Sequence, residues 1–344
     1  MVTDTISRRA VSAHSPSTPP ERGYTWRAYR REDVPALYEM LMAVDRADAR
    51  HFIMTLQDME TQYDDPWSNA EVDSLLAFTA DGQVAAMARV FANPEPIEEC
   101  RAHLWGEVHP AHRGNGLEDF IFSWLEARGS AKLREMPFDY PRILRSGVQD
   151  DLHDRIALLE RHGFRPARYF YRMRRDLSQP IPDGTPPEGI TLRTYSPELS
   201  QGMLQAFNES FADHWGFEPV TEHDWGMFFL KRADFRPDLT FAALQGEEVV
   251  GFSFNVVNRE TNERCGVQEG WVSDLGVRRA WRKRGIASAL LCASMRAFKA
   301  AGLDDALLGV DTENPTGALR VYERLGFSQV KRLISFEKPV QRQP

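Results

Sequence analysis

Arg278-Arg279-Ala280-Trp281-Arg282-Lys283-Arg284-Gly285-Ile286-Ala287-Ser288 is the stretch on which the reading of this 344-residue chain turns. Glu269 to Val277, just before it, has the composition of a strand. Ile286 to Ala300, which follows, is helical, with Ala287, Leu291, Met295 and Phe298 on one face. The junction sets basic residues and then small ones at the opening of a helix. The N–H groups of a first helical turn are unpaired and carry partial positive charge, so this junction is suited to a pyrophosphate. Gly285 and Ala287 let phosphate approach the backbone, and Ser288 adds a hydroxyl. No Lys-Ser/Thr pair follows Gly285, as a nucleoside-triphosphate loop requires, and the three spaced glycines of a dinucleotide site are missing.

Arg282, Gly285 and Ala287 fit motif A of the GNAT acetyltransferase superfamily: Arg or Gln, two residues, Gly, one residue, then Gly or Ala. A second stretch, Val310 to Phe327, is similar to the superfamily's motif B, with Asn314 after a strand, Tyr322 on the next helix and Gly326-Phe327 opening another strand. The resemblance implies that Leu275, Gly276 and Val277 hydrogen-bond the pantetheine arm of acetyl-CoA like an added strand. It implies that Arg282, Lys283, Arg284, Gly285, Ile286, Ala287 and Ser288 hold the pyrophosphate, and that Asn314 contacts CoA. Tyr322 would then protonate the thiolate leaving group, a role a phenol beside sulfur can fill.

Working outward, the same order of features occurs twice. Thr25-Trp26-Arg27-Ala28-Tyr29 parallels Thr191-Leu192-Arg193-Thr194-Tyr195, and each is followed by a helical stretch. Two β-rich segments then flank a tight turn, Ala80 to Gln83 in one copy and Gln245 to Glu248 in the other. Gly116 aligns with Gly285, and Gly163-Phe164 with Gly326-Phe327, with a shorter loop in the second copy. Ser178 to Gly189, with four prolines and two glycines, cannot continue a helix or a central strand. The expected organisation is a disordered tail (1–22), a degenerate N-terminal domain (23–177), a linker (178–189) and a catalytic C-terminal domain (190–344). The expected fold is α/β of α+β type: two tandem GNAT folds, each a mixed, mostly antiparallel twisted sheet flanked by helices. This layout is similar to that of the mycothiol synthases, in which the C-terminal domain is the active one.

The first copy departs from both motifs. At His112-Arg113-Gly114-Asn115-Gly116-Leu117-Glu118, a carboxylate stands where the second copy has Ala287, and it both repels and displaces phosphate. Asp151 replaces Asn314, and Leu159 replaces Tyr322. A structural or substrate-shaping role is expected for this half.

Direct acetyl transfer needs a neutral amine, and the usual device is a carboxylate or ordered water that removes a proton. Glu269 is the preferred base, with Asp274 or a water relay through Ser273 as alternatives. On a regular strand Glu269 and Asp274 would point to opposite faces, and a bulge of the kind this fold commonly carries blurs that choice. Asn208 to Phe217, containing Asp213, His214 and Trp215, lies where GNAT folds build the acceptor wall, and its mix of polar and aromatic groups suits a small cationic or hydroxylated molecule.

Composition excludes other classes. A net charge of -8 argues against a broad phosphate-binding surface and hence against nucleic acid. No apolar run is long enough to span a membrane, and residues 1–23 lack a signal-peptide core, so a cytoplasmic protein is expected. Cys100, Cys265 and Cys292 are an odd number without metal-ligand spacing, so neither disulfides nor a metal are expected. The expected activity is acetyl-CoA dependent N-acetylation of a small-molecule amine, by a monomer or homodimer. A protein or peptide N-acetyltransferase, or a non-catalytic CoA-binding protein, is the alternative.

Overall fold

The computed structural model describes residues 23–50, 54–64, 69–314 and 316–341; the expected tail (1–22) and Pro315 of motif B lie outside them. The chain divides into two compact units. One runs to Ala167 and takes in the chain from Ile334 onward, and the other is Arg168–Leu333.

The first unit contains β1 (Thr25–Arg27), α1 (Val34–Asp48), β2 (Ser74–Phe78), β3 (Val84–Ala92), β4 (Cys100–Val108), α2 (Leu117–Glu135), β5 (Arg142–Gln149) and α3 (His153–Arg161). Strands β1 to β4 are antiparallel neighbours. β4 and β5 run parallel from Cys100↔Arg142 to His103↔Arg145. Beside β5, Val340 N–H donates to Arg142 C=O at 2.8 Å, and Arg145 pairs with Glu337, so the end of the chain completes this unit.

The second unit contains the rest of β6 (Arg165–Asp176), then β7 (Thr191–Thr194), α4 (Ser200–Phe211), β8 (Phe241–Gln245), β9 (Glu248–Val256), β10 (Glu269–Val277), α5 (Ile286–Ala300), β11 (Asp305–Asp311), α6 (Ala318–Arg324) and the first part of β12 (Ser328–Pro339). β7 to β10 are antiparallel neighbours, β10 and β11 are parallel, and β6 is antiparallel to β11 from Asp305↔Asp176 to Asp311↔Phe170. The tight turn expected between Gln245 and Glu248 is the β8–β9 hairpin, which Gly246 closes at φ +57°.

The units do not divide at the linker read from the sequence. Residues 168–177 belong with the second unit because β6 pairs with β11, and the last strand's end belongs with the first. A sequence repeat shows where a copy begins, whereas pairing decides which core a strand joins. The Pro-rich segment has no regular structure over 180–187 and packs within the second unit: Ile181 lies on its core, and Arg296 donates to the Pro182 carbonyl at 2.8 Å.

Helix α5 spans the residues expected of it, but its buried face is Ile286, Ala289, Leu290, Leu291, Cys292, Met295 and Phe298. Each fully buried Leu, Met or Phe of this face contributes about 1.5–3 kcal/mol. Ala287, expected on that face, instead lines the cleft described below. Among the described residues, no helix is long and apolar enough to cross a membrane, and no group of three or more His, Cys, Asp or Glu is placed to hold a metal.

Candidate active site

The site of the second unit begins with a break in a strand pair. β10 and β11 pair from Glu269↔Asp305 to Val272↔Leu308 and no further. On its other side β10 shifts register against β9 between Val272 and Asp274, which leaves Ser273 as the extra residue of a bulge. Beyond it, Leu275, Gly276 and Val277 pair with β9 alone, so the backbone edge facing β11 has no strand partner. The gap is a cleft of 1440 Å³ that all of these strand-end residues line.

At the far end of β10 the chain turns into α5 with two residues in the left-handed region, Lys283 at φ +62° and Gly285 at φ +89°. At Gly285 a side chain would be strained whatever the space, and the space beside it is open: apart from its own chain neighbours, no described residue comes within 4 Å of where its Cβ would stand. Lys283, Gly285, Ile286, Ala287 and Ser288 all line the cleft. Arg284 lies over the Trp281 ring, 4.6 Å from its centre. Arg282 is committed to the protein instead. It donates to the Val277 carbonyl at 3.2 Å, the Asp213 carboxylate at 2.9 Å and the Ser210 carbonyl at 2.9 Å. The Arg282 hydrogen bond, with the Arg279 charge beside it, holds the Asp213 carboxyl below the usual range. Asp213, read from the sequence as an acceptor residue, thus ties the end of α4 to this turn.

His214 lines the cleft, edge-on to Phe211 at 4.4 Å, with Nε2 3.4 Å from Asn314 Nδ2. Burial lowers its pKa, so the ring is neutral at pH 7. Trp215 lies outside the cleft lining and faces Phe170 and Arg168, with centres 6.2 and 5.8 Å away. Asn314 lines the cleft, and its Oδ1 accepts from Thr316 N at 2.8 Å and Oγ1 at 2.6 Å, which shapes the turn into α6. Tyr322 on α6 reaches the cleft from a buried position, where burial pushes its pKa up to about 12.

The two candidate carboxylates separate at the bulge. Glu269 is buried at the start of β10, in the paired region, and does not line the cleft. Asp274, just past Ser273, is half-buried within the cleft. Burial raises its pKa, against an opposing hydrogen bond from Ser273 and the charge of Arg232. The cleft also takes Phe170, Tyr171 and Arg172 from β6, residues that no motif marked. Only the β6–β11 pairing, which sequence periodicity does not encode, could have found them.

The first unit repeats the turn and closes it. Gly114 (φ +74°) and Gly116 (φ +80°) occupy the two left-handed positions. Arg113 donates to the Val108 carbonyl at 3.3 Å and to Asp48 at 2.7 and 3.0 Å, as Arg282 does to Val277 and Asp213. Here the Glu118 carboxylate accepts from Gly114 N–H at 2.9 Å, so a side chain sits on the turn amide that an anion would take. β4 keeps an unbroken register with β3. Beyond its parallel pairing with β5, Glu107 is buried between Arg50 and Arg155 of α3, each at 2.7 Å. Burial raises the Glu107 pKa, and the two guanidiniums more than offset it, holding it below the usual range. An ion cluster therefore stands where the second unit has open space.

Residues 200–327 match the Acetyltransferase (GNAT) family. The chain is similar to the mycothiol acetyltransferase of Thermobispora bispora, 32% identical over 244 residues that span 70% of this chain and 76% of the relative. Among solved structures it is similar to a GCN5-related N-acetyltransferase from Sphaerobacter thermophilus, with 27% identity, a TM-score of 0.72, and coverage of 95% of this chain and 98% of that one. A tandem GNAT protein from the clavulanic acid biosynthesis pathway, 14% identical with a TM-score of 0.65, shares the fold over 93% of this chain and 100% of its own. Split strands, an open left-handed turn and these relatives converge: the chain belongs to the acetyltransferase (GNAT) family and is an N-acetyltransferase.

Proposed function

We propose that the chain transfers the acetyl group of acetyl-CoA directly to the amine of a small molecule, in the cleft of the Arg168–Leu333 unit. The observation that carries this reading is the parting of β10 and β11 beside an open left-handed turn, with Asp274 and Tyr322 in the same cleft. The residues present fit an acyl-CoA donor. The free edge of Leu275–Val277 suits an amide-bearing arm, and the amides from Lys283 to Ser288 suit a pyrophosphate. The relatives named mycothiol acetyltransferase support a small-molecule acceptor.

In this reading Asp274 is the base, because Glu269 stands off the cleft. Its raised pKa makes its carboxylate a stronger proton acceptor than an exposed one. As the N–C bond forms and the C–S bond breaks, Asp274 takes the proton of the amine and Tyr322 supplies one to the sulfur. A phenol with a pKa of about 12 holds its proton until such a base is generated beside it. Calorimetry with acetyl-CoA, paired with turnover on a panel of primary amines, tests the assignment. Tyr322→Phe should bind acetyl-CoA like the parent and lose about 10²- to 10⁴-fold in kcat. Unchanged turnover would remove Tyr322 as the acid, and a parent chain that does not bind acetyl-CoA would overturn the reading as a whole.

A further inference from the structure

One polar group in the cleft has no role in the chemistry above. Ser210, on the last turn of α4, is 4% exposed, lines the cleft, and its hydroxyl has no hydrogen-bond partner. A buried hydroxyl left unpaired costs about 1–3 kcal/mol. The Ser210 Cβ lies 3.0 Å from the point a Cβ on Gly276 would occupy, so the side chain packs on the face of β10 at Gly276, within the stretch whose backbone edge has no β11 partner. The Ser210 carbonyl is held by Arg282 at 2.9 Å, which fixes the residue to the phosphate turn.

The first unit supplies a control. Asp48 and Asp213 hold equivalent arginines, and three residues earlier in each copy stand Asp45 and Ser210. Asp45 is buried and partnered, and Glu107 occupies the position matching Gly276. Where the cleft is filled, this position carries a partnered carboxyl side chain; where it is open, it carries an orphaned hydroxyl.

We infer that the Ser210 hydroxyl is a donor-recognition residue, hydrogen-bonded to an amide of the pantetheine arm when acyl-CoA is bound. This rests on the donor site proposed above and adds a residue to it. The hydroxyl is satisfied only in the loaded protein, so its removal should act with opposite sign on affinity and on ligand-free stability.

The test is calorimetry and thermal unfolding of the full chain with Ser210→Ala and Ser210→Cys, using acetyl-CoA and 3′,5′-ADP, which lacks the arm, as probes. Both variants should bind acetyl-CoA about three- to tenfold more weakly, bind 3′,5′-ADP like the parent, and melt no lower than it. Unchanged acetyl-CoA affinity overturns the inference. Equal losses for both probes, or a lower melting temperature in both variants, make Ser210 a support of the turn rather than a contact and overturn it as well. A parent chain that binds neither probe removes the donor site itself, a failure distinct from that of Ser210 alone.

Discussion

Asp274 sits in a place that disfavours its charged form. Burial raises its pKa, so the ionised form costs folding free energy at neutral pH; that cost disappears as pH falls below the unfolded value near 3.9. Asp274→Asn should therefore melt at a higher temperature than the parent at pH 7, an advantage that shrinks toward pH 4 in a melting series. The same variant should lose most of its turnover. In the parent, the acid limb of kcat/KM should stay in place when amines of different basicity are compared; a limb that follows the acceptor's pKa would exclude Asp274 as the base. The sequence favours Glu269 as the base, with Asp274 or a relay through Ser273 as alternatives, a preference that differs from the Asp274 proposed above. Alternation along a strand assigns faces only while the pleat is regular, and the extra residue at Ser273 breaks it between the two carboxylates.

At the scale of the element, the strand-turn-helix junction was legible almost to the residue, since Glu269–Val277 and Ile286–Ala300 are the strand and helix expected. Period-2 and period-3.6 patterns are local, and so are the small residues of a phosphate turn. The Asp213–Arg282 strut was not legible, because a carboxylate in a sequence does not say which cation it meets. Its recurrence as Asp48–Arg113, in a turn already capped by Glu118, identifies it as a support for the left-handed loop whether or not an anion sits there. Ala287 stands where the first unit has Glu118. Ala287→Glu should let a carboxylate reach the turn amide and weaken acetyl-CoA binding by more than about tenfold, by loss of the anion site and by repulsion. Glu118→Ala should leave that affinity unchanged. Calorimetry decides both, and a tight-binding Ala287→Glu chain would show that the phosphates lie elsewhere.

Over the whole molecule, the duplication and the family were readable from two motifs, and the strand allocation was not. The sequence divides the chain at 178–189, yet β6 lies before that point and pairs with β11 along Asp305 to Asp311. A fragment covering 168–333 holds every strand of the second unit and should fold and bind acetyl-CoA. A fragment of 190–344 lacks β6 and uncovers the edge of β11; it should be insoluble or fail to bind. Gel filtration and calorimetry on the pair separate the two divisions, and a folded, binding 190–344 fragment would refute the structural one. The first unit has the matching dependence on residues after Ile334, through Val340 beside Arg142 and Glu337 on Arg145. On the ribosome this has a cost in time. At about 5–20 residues per second, roughly 10–30 s pass between the emergence of the first unit's main segment and that of its final strand. Through that interval β5 presents an open edge, the kind of surface that invites pairing with a neighbouring nascent chain, so the half made first is the half finished last.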